Sequence, residues 1–130
     1  MSANKVVLDA SAILAVIHGE PGSEKLPPEL LANALVSSVN AAEVHGKLLA
    51  KGWDADQAWE DCVGIVDQVL PFTVEHARNT GSLILLTRAM GLSLGDRACL
   101  ALALELKAPV YTADRSWKNL KLDLRITVIR

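Results

Sequence analysis

Apolar positions along the chain fall into two kinds of run that alternate. Val6-Val7-Leu8 is short, β-branched-rich and continuous, as in a strand covered on both faces. Ala34-Leu35-Val36 and Val110-Tyr111 are runs of the same kind, and Ile126-Thr127-Val128-Ile129 closes the chain as a strand. Val69-Leu70-Pro71-Phe72 reads as a further short strand, which Pro71 places at an edge or strand end because proline cannot donate to a ladder. Between these runs the spacing becomes helical. A helix is predicted over residues 11–17, ending near Gly19, and another opens at Ser38 or Asn40 and ends near Gly52. Asp54 caps a third that continues to about Gln68, its apolar stripe made by Ala55, Ala58, Trp59, Cys62 and Ile65/Val66. Thr73 is expected to cap one long helix to Met90, with Gly91 suited to its C-terminus. Ser93 opens the next helix, to Lys107. Residues 20–28, with Pro21, Gly22, Pro27 and Pro28, are expected to be a loop with room for a helical turn, and residues 114–117 a turn or short helix.

Strands alternating with helices predict an α/β domain with a parallel sheet, right-handed crossovers and ligands at the carboxyl ends of the strands. The length of 130 residues fits a single domain, 1–130. Hydrophobic residues make up 51% and charged residues 22%, which supplies a packed core and excludes a disordered chain. Thirteen Lys and Arg against fifteen Asp and Glu leave a net charge of −2. That argues against a protein coated in positive charge for nucleic acid, though not against a local basic rim. The apolar run 98–104 is bracketed by Arg97 and Glu105 and is far short of the about 20 residues a membrane span needs. Lys5 followed by the run 6–17 looks superficially like a secretory leader, but Asp9 inside it is costly there, so a cytoplasmic protein is expected. Cys62 and Cys99 have neither zinc-knuckle nor disulfide-framework spacing and read as buried thiols.

Acids fall where such a fold would place a site. Asp9 directly follows the first strand, Glu43 sits in the first turn or two of the helix after the second, and Asp114 lies just past Val110-Tyr111-Thr112. Asp96 is near the start of the helix that precedes that strand, and joins the others only if that helix starts on the same side of the sheet. Each has a structural reading too. Asn40-Ala41-Ala42-Glu43 matches a capping box, Ser93-Leu94-Gly95-Asp96 its looser form, and Asp9 and Asp114 can cap the segments that follow them. Asp9 is the hardest to read that way, since an acid ending a buried apolar strand is poorly solvated. Carboxylates about 4 Å apart would repel by about 4 kcal/mol at an effective dielectric near 20. Protonation or a bound cation must relieve this. Oxygen ligands around an open cleft suit Mg²⁺ or Mn²⁺, and no His-rich or Cys-rich cluster offers zinc an alternative.

Four segments, 6–12, 37–44, 94–103 and 111–114, resemble in order and spacing the motifs of PIN-domain ribonucleases, and most closely the VapC-type toxins of bacterial and archaeal toxin–antitoxin pairs. The resemblance runs through essentially the whole chain. It implies a three-layer α/β/α PIN-like fold with a central, mainly parallel sheet. It implies Mg²⁺- or Mn²⁺-dependent cleavage of RNA that leaves a 3′-hydroxyl and a 5′-phosphate. Asp9, Asp96 and Asp114 would be the metal-facing carboxylates, with Glu43 completing the set directly or through water. Ser11 and Thr112 stand where the family often has a hydroxyl. A homodimer and a silencing antitoxin protein are implied as partners. Many relatives carry a further acid one or two positions beyond the last one, where this chain has Arg115 and Ser116, which bears on how a second metal would be held.

In the mechanism this implies, a metal-activated water attacks the phosphodiester in line while the metal offsets the developing charge. Arg97, Arg115 and Lys118 neighbour the motifs and could touch phosphates, or be solvated surface charges. His18, His45 and His76 are read as structural or surface residues, and Trp59 as a core or interface residue. Two alternatives remain. One is another metal-dependent phosphoryl-transfer hydrolase, although a haloacid-type phosphatase needs Asp-x-Asp where this chain has Asp9-Ala10-Ser11. The other is a non-catalytic α/β interaction module whose acids are only helix caps.

Overall fold

The computed structural model describes residues 4–130. Five strands, β1 (Val6–Leu8), β2 (Ala34–Ser37), β3 (Gln68–Leu70), β4 (Val110–Thr112) and β5 (Ile126–Val128), form one sheet in the order β3-β2-β1-β4-β5. Every pairing is parallel, with Val7 opposite both Leu35 and Val110. The direction of strand addition reverses at β1, so the crevice between β1 and β4 at their carboxyl ends is the topological switch point.

Among the described residues seven α-helices lie between the strands: α1 (Ala10–His18), α2 (Pro28–Leu31), α3 (Ser38–Ala50), α4 (Ala55–Ile65), α5 (Val74–Ser82), α6 (Ile84–Thr87) and α7 (Leu94–Leu106). The unbroken apolar run of β1 divides between two cores because successive strand side chains point to opposite faces. Val6 and Leu8 pack with Ile13, Val44, Leu48 and Cys62 from α1, α3 and α4. Val7 packs with Cys99, Leu100 and Trp117 on the other face, which α7 covers. The result is the expected three-layer α/β/α arrangement.

Most elements match the pattern, with instructive differences. The 20–28 loop holds a 3₁₀ turn, Ser23–Lys25, the helical turn it had room for, while α2 follows it as an element the pattern did not show, with Pro28 at its start where a missing N–H costs nothing. The long helix expected over 73–90 is instead broken. α5 stops at Ser82, α6 follows, and a 3₁₀ turn, Arg88–Met90, ends at Gly91 with φ 65°. Asn79-Thr80-Gly81-Ser82 is a run of four poor helix formers, and the Thr87 hydroxyl donates to the Leu83 carbonyl at 2.8 Å. Both cysteines are buried and free, and no described helix is long and apolar enough to cross a membrane.

Candidate active site

Asp9 leaves β1 as the N-cap of α1 and is only 4% exposed. Its carboxylate is surrounded by donors. The Ala12 N–H reaches Oδ1 at 2.9 Å, the Ser11 hydroxyl lies 2.8 and 2.9 Å from the two oxygens, and the Thr112 hydroxyl donates to Oδ2 at 2.6 Å. The hydroxyls are fixed in turn, because the Ala113 N–H donates to Ser11 Oγ at 2.8 Å and the Asp114 N–H to Thr112 Oγ1 at 3.0 Å. This lattice joins the ends of β1 and β4 across the switch point. Burial raises the Asp9 pKa from 3.8 to about 6; the hydrogen bonds from Thr112, Ala12 and Ser11 oppose that rise, and the charge of Asp96 adds to it.

Glu43 projects from the second turn of α3. Asn40 Nδ2 donates to its Oε1 at 2.7 Å and to the Gly95 carbonyl at 3.0 Å, which ties α3 to the first turn of α7. The expected capping box at 40–43 does not form. β2 passes into α3 at Ser37, whose hydroxyl caps the helix through the Val39 N–H, so Asn40 already lies inside it and is buried. A Cβ on Gly95 would occupy the place of the Glu43 carboxylate, so the glycine leaves that carboxylate its seat against the first turn of α7.

Asp96 forms the expected capping box with Ser93, through contacts of 3.0 and 3.1 Å. Asp114 is exposed and caps the 3₁₀ turn Arg115–Asn119, its Oδ1 accepting from the Ser116 N–H and hydroxyl. The capping and clustering readings therefore coexist.

Cys99 of α7 is fully buried close to these acids. Burial drives its thiol pKa well above the usual value, and the charges of Asp9, Asp96 and Glu43 all push it further. Asp9, Glu43 and Asp96 are thus near enough for their charges to act on one buried thiol, and the Asp114 backbone N–H reaches Thr112 while its carboxylate holds Ser116. α7 does start on the acidic side of the sheet, as the convergence required. Among the described residues no three His, Cys, Asp or Glu side chains are grouped closely enough to hold a metal ion, so the acids frame a cleft rather than a finished cage.

Two of the neighbouring cations are engaged by backbone carbonyls. Arg97 Nη1 donates to the Thr80 carbonyl and Arg115 Nε to the Arg130 carbonyl. The histidines have structural partners: His18 meets Trp53 edge-on, His45 contacts the Ala55 carbonyl, and His76 bridges Thr73 and Glu105. Trp59 is 42% exposed against His45 rather than in the core. Sequence reasoning missed Asn40 and Gly95 as parts of the site. Their signals were an amide three residues before an acid and a glycine in a helix's first turn.

An all-parallel α/β/α sheet with a buried acid, Asp9, at its switch point defines the class of α/β domains that work at the carboxyl edge of the sheet. The sequence model described as "PIN domain" matches residues 6–122, and the chain belongs to the PIN domain family. Solved structures agree in fold. DNA-bound VapBC from Salmonella typhimurium is similar with a TM-score of 0.72 at 17% identity, over 97% of this chain and 98% of that one. VapBC2 from Rickettsia felis, bound to a promoter DNA fragment, has a TM-score of 0.71 at 19% identity, over 93% and 96%. VapBC-5 of the VapBC toxin–antitoxin family from Mycobacterium tuberculosis has 0.69 at 22%, over 97% and 99%. No curated protein matches the sequence.

Proposed function

We propose that this protein is a Mg²⁺- or Mn²⁺-dependent endoribonuclease and the toxin of a type II toxin–antitoxin pair, working in the cytoplasm as one domain over residues 1–130. The observation that carries the reading is the seat of Asp9 at the switch point, held by Ser11 and Thr112, with Glu43 tied through Asn40 to the first turn of the helix that bears Asp96. Family membership supports the nuclease class, and the fold shared with toxin–antitoxin complexes supports the biological role.

The donor set fits a hard divalent cation. All candidate ligands are carboxylate oxygens, and Mg²⁺ keeps several waters while using one or two carboxylates, so it needs no finished protein cage. Asp9, Asp96 and Asp114 would hold the ion, and Glu43 would complete the set directly or through water. When bound, such an ion acidifies water and offsets negative charge building on a phosphate. The chain's own residues prepare for this. Ser11 and Thr112 fix the Asp9 oxygens, Asn40 aims Glu43, and the Ser93 capping bond orients Asp96. The products would carry a 3′-hydroxyl and a 5′-phosphate. An antitoxin protein that covers the cleft and a second copy of this chain are the proposed partners.

The test is cleavage of RNA by purified protein in Mg²⁺ or Mn²⁺ and in EDTA, with Asp9→Asn and Asp96→Asn beside it. Metal-dependent cleavage lost in both variants, with circular dichroism unchanged, is the expected result. Full activity in either variant overturns the reading. The capping bonds of Asp9, Asp96 and Asp114 favour a second reading, the non-catalytic interaction module. That module predicts no thermal shift with Mn²⁺, whereas the nuclease predicts one that Asp96→Asn removes.

A further inference from the structure

A cavity of about 430 Å³ lies between α1 and α3, next to the acids. Ser11 belongs to both places, because its hydroxyl binds Asp9 while the residue lines the cavity wall. Leu14 and Ala50 give the cavity an apolar lining, and Lys47, Lys51, Arg130 and Glu20 supply its charge. The balance of three permanent cations to one acid runs opposite to the chain's net charge of −2. Glu20 is already paired with Arg130 at 3.1 Å. Lys47 and Lys51 are exposed and form no ion pair among the described residues.

The spacing along α3 gives this charge a direction. Glu43 and Lys47 stand four residues apart on one side of α3, and Lys51, the residue that caps its end, lines the same cavity as Lys47. At about 1.5 Å per residue, Lys51 lies about 12 Å along the axis from Glu43. A line from acids to free cations suits an extended polyanion with one phosphate at the acids and its neighbours further along. Arg97 Nη1 and Arg115 Nε are already engaged by the Thr80 and Arg130 carbonyls.

We infer that this cavity is a phosphate-binding subsite, in which Lys47 and Lys51 hold the RNA backbone on one side of the bond to be cut. The inference rests on the nuclease reading, but its test can fail separately. Both lysines are exposed, so the double variant Lys47→Ala/Lys51→Ala keeps its fold. Binding of a short single-stranded oligoribonucleotide is followed by fluorescence anisotropy in EDTA at several salt concentrations. Cleavage of the same RNA in Mg²⁺ gives kcat and KM.

The double variant should bind at least tenfold more weakly. Its slope of log affinity against log salt should fall by about 1.4, which is about 0.7 for each lost phosphate contact. KM should rise much more than kcat falls. Asp9→Asn should keep the binding and its salt slope while losing cleavage, so a failure of the nuclease reading shows in that variant alone. Unchanged affinity and slope in the double variant, or no RNA binding by the parent protein, overturns the subsite. So does a double variant that binds RNA normally but loses binding of polyglutamate, because the cavity would then take an acidic peptide.

Discussion

At the scale of single residues, Asp9 binds its proton more tightly in the folded state than in the unfolded chain, because burial raises its pKa from 3.8 to about 6. Between those values the native state holds a proton that the unfolded state has released, so stability falls as pH rises through this window. About two units at about 1.4 kcal/mol each make the loss on the order of 3 kcal/mol. Asparagine in this position cannot titrate. In EDTA, the stability of Asp9→Asn relative to the parent should therefore improve by about that amount between pH 4 and pH 7. Urea unfolding of both proteins across that range measures it, and a constant gap would show that the Asp9 site is not desolvated. The first strand already pointed to this residue, since an acid ending an apolar run has little access to water. Asn40 was harder to find. Its sequence position fits a helix cap equally well, and only the placement of α7 shows that its amide serves both Glu43 and the Gly95 carbonyl.

At the scale of elements, the short apolar runs were legible because a strand buried on both faces has few polar positions to confuse it. β1, β2, β4 and β5 all lie where the pattern places them. The stretch 73–90 was not legible as broken, because its ends carry good signals, Thr73 as cap and Gly91 as terminator, while the interruption arises from weak propensity and a side-chain bond to the Leu83 carbonyl. The α3–α7 contact was invisible for another reason: sequence spacing says nothing about which helices meet. Gly95 now tests that contact. Replacing a helical glycine with alanine ordinarily gains up to about 1 kcal/mol. Here the new methyl would strike the end of a flexible glutamate, which can swing aside. Gly95→Ala should thus unfold within about 1 kcal/mol of the parent and yet lose at least tenfold in RNA cleavage, because Glu43 is displaced from the cleft. Undiminished cleavage would mean that the Glu43 position does not matter to the reaction.

At the scale of the whole molecule, a group of exposed apolar side chains sits on α6, which carries none of the four acids. Leu85 and Leu86 on α6 are each 71% exposed, and Leu86 also borders a second cavity beside Leu83, Ala101 and Leu104. The homodimer proposed above would find its apolar face here. In a two-fold dimer every residue at the contact counts twice, and full burial of a leucine is worth about 1.5–3 kcal/mol. Leu86→Glu removes that contribution on both copies and sets two like charges against each other. Sedimentation velocity should show a dimer for the parent and a monomer for the variant, with dissociation at least a hundredfold easier. The monomer should still cut RNA, because Asp9, Glu43, Asp96 and Asp114 are all held by bonds within one chain: Ser11 and Thr112 to Asp9, Asn40 to Glu43, Ser93 to Asp96, Ser116 to Asp114. A parent that is already monomeric at tens of micromolar would remove α6 as the dimer face. A monomeric variant that no longer cleaves would show instead that pairing completes the site, which the closed set of bonds around each acid argues against.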